Sequence, residues 1–237
     1  MRGAAPVQWH EVTALFGGTF DPPHLGHLLA VDGLFSEPGV RAVRVIPSPT
    51  PPHKPAMASA LDRTEMVRIA FAHGASFRPR GPVEIDLCEI ERAEANPGAL
   101  TFSFDTLSEL RRVIPKLAFV IGTDQLERLP TWHRFPEVLG LSHWIVLARK
   151  GGDPEGAWRQ TLAQWQGSGL VRAEGNGVWR VRSSDTIIQS VPTPAPALSS
   201  TWIRESLARS GNPPEGSIPP DVHTYLMKHR LYGSSAP

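Results

Sequence analysis

The sequence FGGTFDPPHLGH, residues 16–27, decides the fold of the first part of the chain. The apolar and partly β-branched residues Val12–Phe16 lead into it and predict a buried strand. Gly17 and Gly18 allow the backbone to turn sharply and to approach a ligand closely. Residues Leu25–Phe35 predict a helix. Pro22 and Pro23 end the strand and favour a helix start after them. A strand, a glycine-containing turn and a helix are therefore expected in immediate succession.

His24 and His27 are three residues apart at the predicted helix start, so both imidazoles should leave the first turn on one face. The N-terminus of a helix already attracts anions through its N–H groups and its dipole. Two imidazoles at that position add hydrogen-bond donors aimed at the same spot. The pattern predicts a polyphosphate-binding site that contains no protein nucleophile.

Other interpretations of this stretch fit less well. The chain contains neither the P-loop pattern G-x-x-x-x-G-K-[ST] nor the dinucleotide pattern G-x-G-x-x-G. The two histidines are potential zinc ligands, but the single cysteine, Cys88, is distant in sequence and no H-E-x-x-H occurs. A histidine pair alone is most often a core or surface feature. The combination with the strand, the glycines and the Asp-Pro step favours the phosphate site.

The next segments continue the same architecture. Val40–Ile46 predicts a second strand, and a strand, a helix and a strand form a right-handed βαβ unit. We therefore expect a doubly wound, mainly parallel α/β sheet with helices on both faces, which binds ligands beyond the carboxyl ends of its strands. The segment PSPTPPHK, residues 47–54, follows the second strand and carries Lys54, which can bring a cation to a phosphate. A surface turn with a solvated lysine explains this segment alone equally well.

Two later segments place polar groups at comparable positions. The apolar run Leu117–Ile121 predicts a central strand and leads directly into Gly122 and Asp124. Ser199-Ser200-Thr201 predicts the N-cap of a helix with Arg204 one turn in, and thereby a second anion-binding helix start. Plain helix capping explains this second cluster equally well.

The remaining elements are expected from periodicity and from turn residues. Residues 91–100 should form a loop around Asn96-Pro97-Gly98, and Leu129–Leu139 should form an interrupted helix. Further helices are expected at Leu61–His73, Phe104–Val113, Trp158–Trp165 and Pro220–Arg230, and further strands at Val83–Leu87, Trp144–Ala148 and Val178–Val181.

Composition excludes several functional classes. The formal net charge of the 237 residues is +1, which gives no general attraction to nucleic acid or to a membrane surface. No apolar run is long enough to span a bilayer, and residues 1–11 lack the apolar core of a signal peptide. One cysteine excludes internal disulfides and favours a reducing, cytoplasmic location.

The length and the apolar fraction of 41% favour a single packed domain over residues 1–237. Within it we expect a helical C-terminal part at about 199–232. The ends, at about 1–11 and 233–237, should be frayed.

Together these motifs resemble the bacterial nicotinate-nucleotide adenylyltransferases, of the nucleotidyltransferase superfamily with the T/H-x-G-H motif. GGTFDPPHLGH at 17–27 and SSTWIR at 199–204 are shared with related transferases. The Pro-rich segment at 47–54 and IGTDQLERLPTW at 121–132, which fits a G-x-D-x(7)-W pattern, point to this family. FDTL at 104–107 and PPDVHTYLMKHRLY at 219–232 also match, so the resemblance covers most of the chain.

The chain departs from the family pattern at a few positions. Ser103 stands where the family has Thr, Leu198 where it prefers Ile, and Arg149-Lys150-Gly151 where it has Arg-Pro-Gly. Residues 153–182 match least, so no role is carried over to them.

The resemblance implies adenylyl transfer from ATP to nicotinate mononucleotide, which gives deamido-NAD and pyrophosphate in NAD biosynthesis. It also implies Mg²⁺ with the substrate ATP, held mainly by phosphates and water rather than by protein ligands. Because both reactants are anions, catalysis should depend on alignment and charge neutralisation more than on acid–base chemistry. The oligomeric state is left open, a homo-oligomer included.

The resemblance further implies roles for individual residues. The catalytic residues would be His24, His27, Lys54 and Arg204. The ATP-binding residues would be Gly17, Gly18, Thr19, Phe20, His24, His27, Gly122, Asp124, Ser200, Thr201 and Arg204. The acceptor-binding residues would be Thr106, Trp132 and Lys54, with Trp132 stacked on the pyridine ring. Without the resemblance, Trp132 is more readily interpreted as a core aromatic residue.

Several alternatives remain. A sister transferase would adenylate phosphopantetheine or nicotinamide mononucleotide. The phosphopantetheine enzymes are shorter and lack the Trp132 segment, whereas acid and amide acceptors differ in backbone contacts that a sequence does not show. A non-catalytic nucleotide sensor on the same fold would not need both imidazoles. A nucleic-acid-binding protein would require a basic stripe with interleaved aromatic residues, which the sequence lacks.

Overall fold

The computed structural model describes residues 11–37, 39–49, 56–72, 75–149, 156–193, 195–196 and 198–234, without the side chains of residues 149 and 157. The strands are β1 (Val12–Gly18), β2 (Val40–Pro47), β3 (Val83–Ile85), β4 (Leu117–Gly122), β5 (His143–Arg149), β6 (Val171–Gly175), β7 (Val178–Val181) and β8 (Ile187–Thr193). The α-helices are α1 (Leu25–Leu34), α2 (Ala60–Phe71), α3 (Cys88–Ala95), α4 (Ser103–Leu110), α5 (Thr123–Arg128), α6 (Ala157–Gly167), α7 (Ser200–Ser210) and α8 (Pro220–Lys228). Short 3₁₀ turns lie at Leu129–Thr131, Glu137–Gly140 and Leu231–Gly233.

The strands of the described residues form one sheet in the order β3-β2-β1-β4-β5-β8-β7-β6. β1, β4, β5 and β8 pair in parallel, whereas β7 is antiparallel to both β8 and β6. The predicted α/β fold with a mainly parallel sheet is thereby confirmed. Because β1 and β4 are parallel, with Phe16 opposite Val120, both strands end at the same edge of the sheet.

The chain divides into two compact units. The first unit comprises the described residues within Met1–Phe16, Leu34–Val43 and Phe102–Thr193. Its centre is the parallel part of the sheet, where Leu117–Ile121 of β4 are each at most 7% exposed. A strand buried on both faces needs an apolar side chain at every position, which explains this continuous apolar run.

The second unit comprises the described residues within Gly17–Gly33, Arg44–Thr101 and Pro194–Pro237. It contains α1, α2, α3, α7 and α8 together with the turn that follows β1. Ser59 caps α2 by accepting a hydrogen bond from the amide of Asp62, and Ser199 caps α7 by accepting from the amide of Trp202. The N-cap predicted from the Ser-Ser-Thr cluster is therefore confirmed, and Ser199 is the residue that forms it.

Two of the predicted connections are wrong. The expected loop at 91–100 is helical over its first half, because α3 continues to Ala95 and only then reaches the Asn96-Pro97-Gly98 turn. The helical segment after β4 begins earlier than predicted, since α5 starts at Thr123, directly after the strand. The rest of that segment is two 3₁₀ turns, in accord with the expected interruption.

The C-terminal end also differs from the prediction. Gly233 belongs to a 3₁₀ turn, and Ser234 is buried with its hydroxyl donating to the carbonyl of Leu226. The expected frayed tail therefore does not include these two residues, because this contact packs them against α8. Residues 235–237, like 1–10 and His73, lie outside the described residues.

The expectation of a single domain over residues 1–237 stays a prediction. No α-helix in the described parts of the chain combines the length and the hydropathy that crossing a bilayer requires.

Candidate functional site

The segment Gly17–His24, here called the glycine turn, connects β1 to α1 in the second unit. A Cβ atom at Gly18 would lie 3.0 Å from the ring of Phe20, so a side chain at this position would push that ring away. Phe20 itself has a φ of 51°, in the left-handed region that non-glycine residues rarely adopt. The amide of Ser48 donates to the carbonyl of Gly18 at 2.9 Å and fixes the start of the turn.

The two histidines project together, as their spacing predicts. Their rings are stacked, with centroids 3.7 Å apart, and Phe20 packs its edge against His27 at 5.0 Å. His24 is 5% exposed, and His27 is half-buried. The amide of His24 donates to Nδ1 of His27 at 3.2 Å, so a neutral His27 carries its proton on Nε2. This nitrogen is therefore the hydrogen-bond donor of the ring.

The carboxylate of Asp21 is buried at the centre of the glycine turn, with the residue 3% exposed. Its Oδ1 accepts from the amide of Ala58 at 3.1 Å and from the hydroxyl of Tyr232 at 2.8 Å. Its Oδ2 accepts from the amide of Met57 at 2.9 Å and lies 3.6 Å from Nη1 of Arg204. Burial and the neighbouring carboxylate raise the pKa of Tyr232 far above its ordinary value, so its hydroxyl remains protonated and donates.

Arg63 also holds the glycine turn, through hydrogen bonds to backbone carbonyls. The sequence analysis did not identify it as a site residue. This residue is 1% exposed, and its Nη1 donates at 2.7 Å to the carbonyls of both Thr19 and Ser48. Its Nη2 donates to Pro49 and its Nε to Ala58. Burial lowers the pKa of Arg63, and the nearby Asp21 carboxylate opposes this shift. A guanidinium stays protonated in proteins, so the side chain is charged.

A signal for Arg63 was present in the sequence. Arg63, Met66, Val67 and Ala70 follow the i, i+3, i+4, i+7 spacing of the buried stripe of α2, and all four are at most 1% exposed. An arginine within an apolar stripe has to find buried hydrogen-bond acceptors. The pattern therefore indicates a buried, fully engaged guanidinium, although it does not say which carbonyls accept.

The start of α7 lies against the glycine turn within the same unit. Ser200 donates its hydroxyl to the carbonyl of Pro22 at 3.0 Å. Arg204, 8% exposed, donates from Nη1 to the carbonyl of Asp21 at 2.5 Å and from Nη2 to the hydroxyl of Thr201 at 3.3 Å. The predicted residues His24, His27, Ser200, Thr201 and Arg204 are thus brought together around one turn. Lys54 lies outside the described residues.

Gly122 and Asp124 belong to the first unit, where β4 passes into α5. Gly122 precedes the helix, and Asp124, in the first turn of α5, is exposed. A Cβ atom at Gly122 would come within 2.6 Å of Oδ1 of Asp124, so glycine is required for this carboxylate to fold back over the strand end.

Trp132 and Thr106 also belong to the first unit. Trp132 is half-buried and makes edge contacts with Phe119 and Trp144 at 6.2 and 6.3 Å, so part of its indole remains accessible. It is therefore not a fully buried core residue, in contrast to Trp144, which is 0% exposed. Thr106 is 1% exposed, and its hydroxyl donates to the carbonyl of Phe102 at 3.5 Å.

The described residues contain no group of three or more His, Cys, Asp or Glu side chains that could hold a metal ion.

Comparisons with known proteins agree with this architecture. The model of the Cytidylyltransferase-like family matches residues 15–206. The probable nicotinate-nucleotide adenylyltransferase of Cellvibrio japonicus is 35% identical over 224 residues, which cover 92% of this chain and 97% of that protein. The corresponding protein of Laribacter hongkongensis is 35% identical over 230 residues, covering 94% and 95%.

Solved structures of similar fold include nicotinic acid mononucleotide adenylyltransferase from Plasmodium falciparum complexed with NaAD. Its TM-score is 0.71 at 16% identity, with 96% of this chain and 100% of that chain covered. The same enzyme complexed with APC has a TM-score of 0.69 at 15% identity, with the same coverage. At such low identity these two structures support the fold alone.

Proposed function

This chain belongs to the Cytidylyltransferase-like family and, within it, to the nicotinate-nucleotide adenylyltransferases, and we propose that it transfers the adenylyl group of ATP to nicotinate mononucleotide. An oxygen of the acceptor's 5′-phosphate attacks the α-phosphorus of ATP, the bond to the β-phosphate breaks, and deamido-NAD and pyrophosphate are formed. The observation that carries the proposal is the similarity, over more than nine-tenths of the chain, to relatives that bear this name.

The histidine pair supports a mechanism based on charge stabilisation. We assign His27 to the oxygens of the α-phosphate, where negative charge develops during the reaction, and His24 to the neighbouring phosphate oxygens. The hydrogen bond from the amide of His24 to Nδ1 of His27 leaves Nε2 as the donor, which is the form that such an assignment requires. The protein needs no nucleophile of its own, because the acceptor phosphate attacks directly.

We assign the remaining phosphate contacts to Lys54, Ser200, Thr201 and Arg204. The glycine turn, from Gly17 through Thr19 and Phe20, would bring its backbone close to the nucleotide, as its tight geometry allows. Both terminal nitrogens of Arg204 donate a hydrogen bond, Nη1 to the carbonyl of Asp21 and Nη2 to the hydroxyl of Thr201. Each terminal nitrogen carries a second N–H group that these two hydrogen bonds do not use, and we assign that group to a phosphate oxygen.

Mg²⁺ is expected to accompany ATP and would neutralise charge on the triphosphate when bound. We propose that the ion is held mainly by phosphate oxygens and water. The side chains of this chain would then align the triphosphate rather than coordinate the ion.

For the acceptor, we assign Trp132 to the pyridine ring and add Thr106 and Lys54 as acceptor-binding residues. For the ATP nucleoside we assign Gly122 and Asp124. The accessible part of the Trp132 indole supports stacking, because the tryptophan is held by Phe119 and Trp144 on its edges. Thr106, with its hydroxyl turned to the backbone, would shape the pocket through its methyl group. The exposed carboxylate of Asp124 is suited to hydroxyl groups of a ribose.

The choice between acid and amide acceptor tests the proposed function directly. Pyrophosphate release should be measured with ATP and Mg²⁺ against nicotinate mononucleotide and nicotinamide mononucleotide in parallel. We expect a preference for the acid that reaches as much as about 10⁴-fold in kcat/KM, because donors arranged for a carboxylate are mismatched with an amide. Equal rates with both acceptors would contradict acid specificity, and no release with either would contradict the adenylyltransferase assignment.

His27→Ala should reduce kcat by about 10²- to 10³-fold, since it removes a donor to charge that develops in the transition state. The Kd for ATP, measured by calorimetry, should change much less. The matched control is His229→Ala, which removes an exposed imidazole stacked on Tyr225 at 4.2 Å and should retain wild-type turnover. Near-normal turnover in His27→Ala would remove His27 from the catalytic residues.

Trp132→Ala should raise the KM for nicotinate mononucleotide by about tenfold or more, because the ring loses its stacking partner. Binding of ATP, measured by calorimetry, should remain close to that of the wild type. Trp179→Ala provides the control, since Trp179 is also half-buried and makes an edge contact with Trp158 at 6.2 Å. If the two variants had the same KM for the acceptor, the role of Trp132 would be packing alone.

A further inference from the structure

Tyr232 comes from the last described turn of the chain and yet contacts the glycine turn, 211 residues away in sequence. It is 8% exposed, and its hydroxyl donates at 2.8 Å to the same Oδ1 of Asp21 that accepts from the amide of Ala58. Tyr232 is thus the side-chain hydroxyl that completes the hydrogen bonding of a buried carboxylate.

The backbone at Tyr232 is in an uncommon conformation. Its φ is 59° and its ψ is 24°, and Arg230 also has a positive φ of 51°. Bulky side chains rarely adopt this region, and strain of this kind persists only where the surroundings require it. Residues 230–232 therefore have a strained backbone, and in this conformation the hydroxyl of Tyr232 reaches Asp21.

The hydrogen bond from Tyr232 is one of the interactions by which three different segments hold the Asp21 carboxylate. The amides of Met57 and Ala58 come from the residues just before α2, and Arg204 of α7 lies 3.6 Å from Oδ2 and donates to the backbone carbonyl of Asp21. The stacked pair of His24 and His27 begins three residues after Asp21. A shift of the carboxylate would therefore move the backbone that leads into both imidazoles.

We propose that Tyr232 is a positioning residue for the reaction, which acts through Asp21 to fix the glycine turn and thereby the placement of His24 and His27. It would touch neither substrate. The inference rests on the proposed function, because its kinetic consequence is defined for adenylyl transfer.

Tyr232→Phe is the decisive variant, since it keeps the aromatic ring and removes the hydroxyl alone. We expect kcat to fall by between about tenfold and 10²-fold, because small displacements of catalytic groups have effects of this size. The KM for ATP should rise as well, because the phosphate contacts are made by the same turn. A variant that merely lost part of its folded population would show a lower kcat and an unchanged KM for ATP.

Tyr225→Phe is the matched control, because Tyr225 is the other tyrosine of the chain. It too donates to a carboxylate, Oδ1 of Asp62 at 3.1 Å, but this contact joins α8 to α2 and does not involve the glycine turn. We expect this variant to retain the wild-type kcat and KM. If Tyr232→Phe and Tyr225→Phe were kinetically alike, the positioning role would be excluded.

Hydrogen exchange separates this inference from the proposed function. Amides of residues 18–28 should exchange faster in Tyr232→Phe than in the wild type and in Tyr225→Phe, whether or not the chain adenylates nicotinate mononucleotide. An inactive wild type with this exchange pattern would contradict the proposed function alone. Unchanged exchange in Tyr232→Phe would contradict the inference even if the wild type is active.

Discussion

The buried carboxylate of Asp21 is the constraint on which the candidate site depends. A carboxylate removed from water is costly unless its charge and its lone pairs are satisfied. Here the carboxylate accepts hydrogen bonds from the amides of Met57 and Ala58 and from the hydroxyl of Tyr232. The guanidinium of Arg204 balances its charge. The glycine turn cannot move without breaking several of these interactions at once. It is therefore ordered before a nucleotide arrives, and a preordered set of donors is what stabilises developing charge most effectively.

Arg63 holds the backbone of the same turn, as the contacts of Asp21 hold its side chain. Its guanidinium donates to the carbonyls of Thr19 and Ser48, and it thereby ties the turn to the segment after β2. One buried anion and two buried cations, Arg63 and Arg204, thus organise the turn without any of them having to react. This arrangement suits a reaction between two phosphates, in which the protein supplies alignment and positive charge.

The sequence predicted the features of this site that depend on local pattern. The strand, the glycine turn and α1, the pairing of His24 with His27, and the cap at the start of α7 each follow from neighbouring residues. The side-chain and amide donors to the Asp21 carboxylate did not follow, because they come from segments 36 to 211 residues away and no local rule selects them. The acceptors of Arg63 at Ser48 and Thr19 are 15 and 44 residues away and did not follow either. The sequence analysis did not predict the strands β6 and β8. β6 is polar and exposed beyond Val171, so its composition gives no strand signal. β8 is mostly buried, but Gln189, Ser190 and Pro192 interrupt its apolar residues.

The most direct test of a turn ordered in advance is a pair of crystal structures, one without nucleotide and one with ATP bound. If Asp21 and its partners hold the turn, the Cα atoms of residues 19–28 should superpose to within about 1 Å, with the bonds from Met57, Ala58 and Tyr232 present in both. A rearrangement of more than about 2 Å, with these bonds formed only when ATP is bound, would contradict the account.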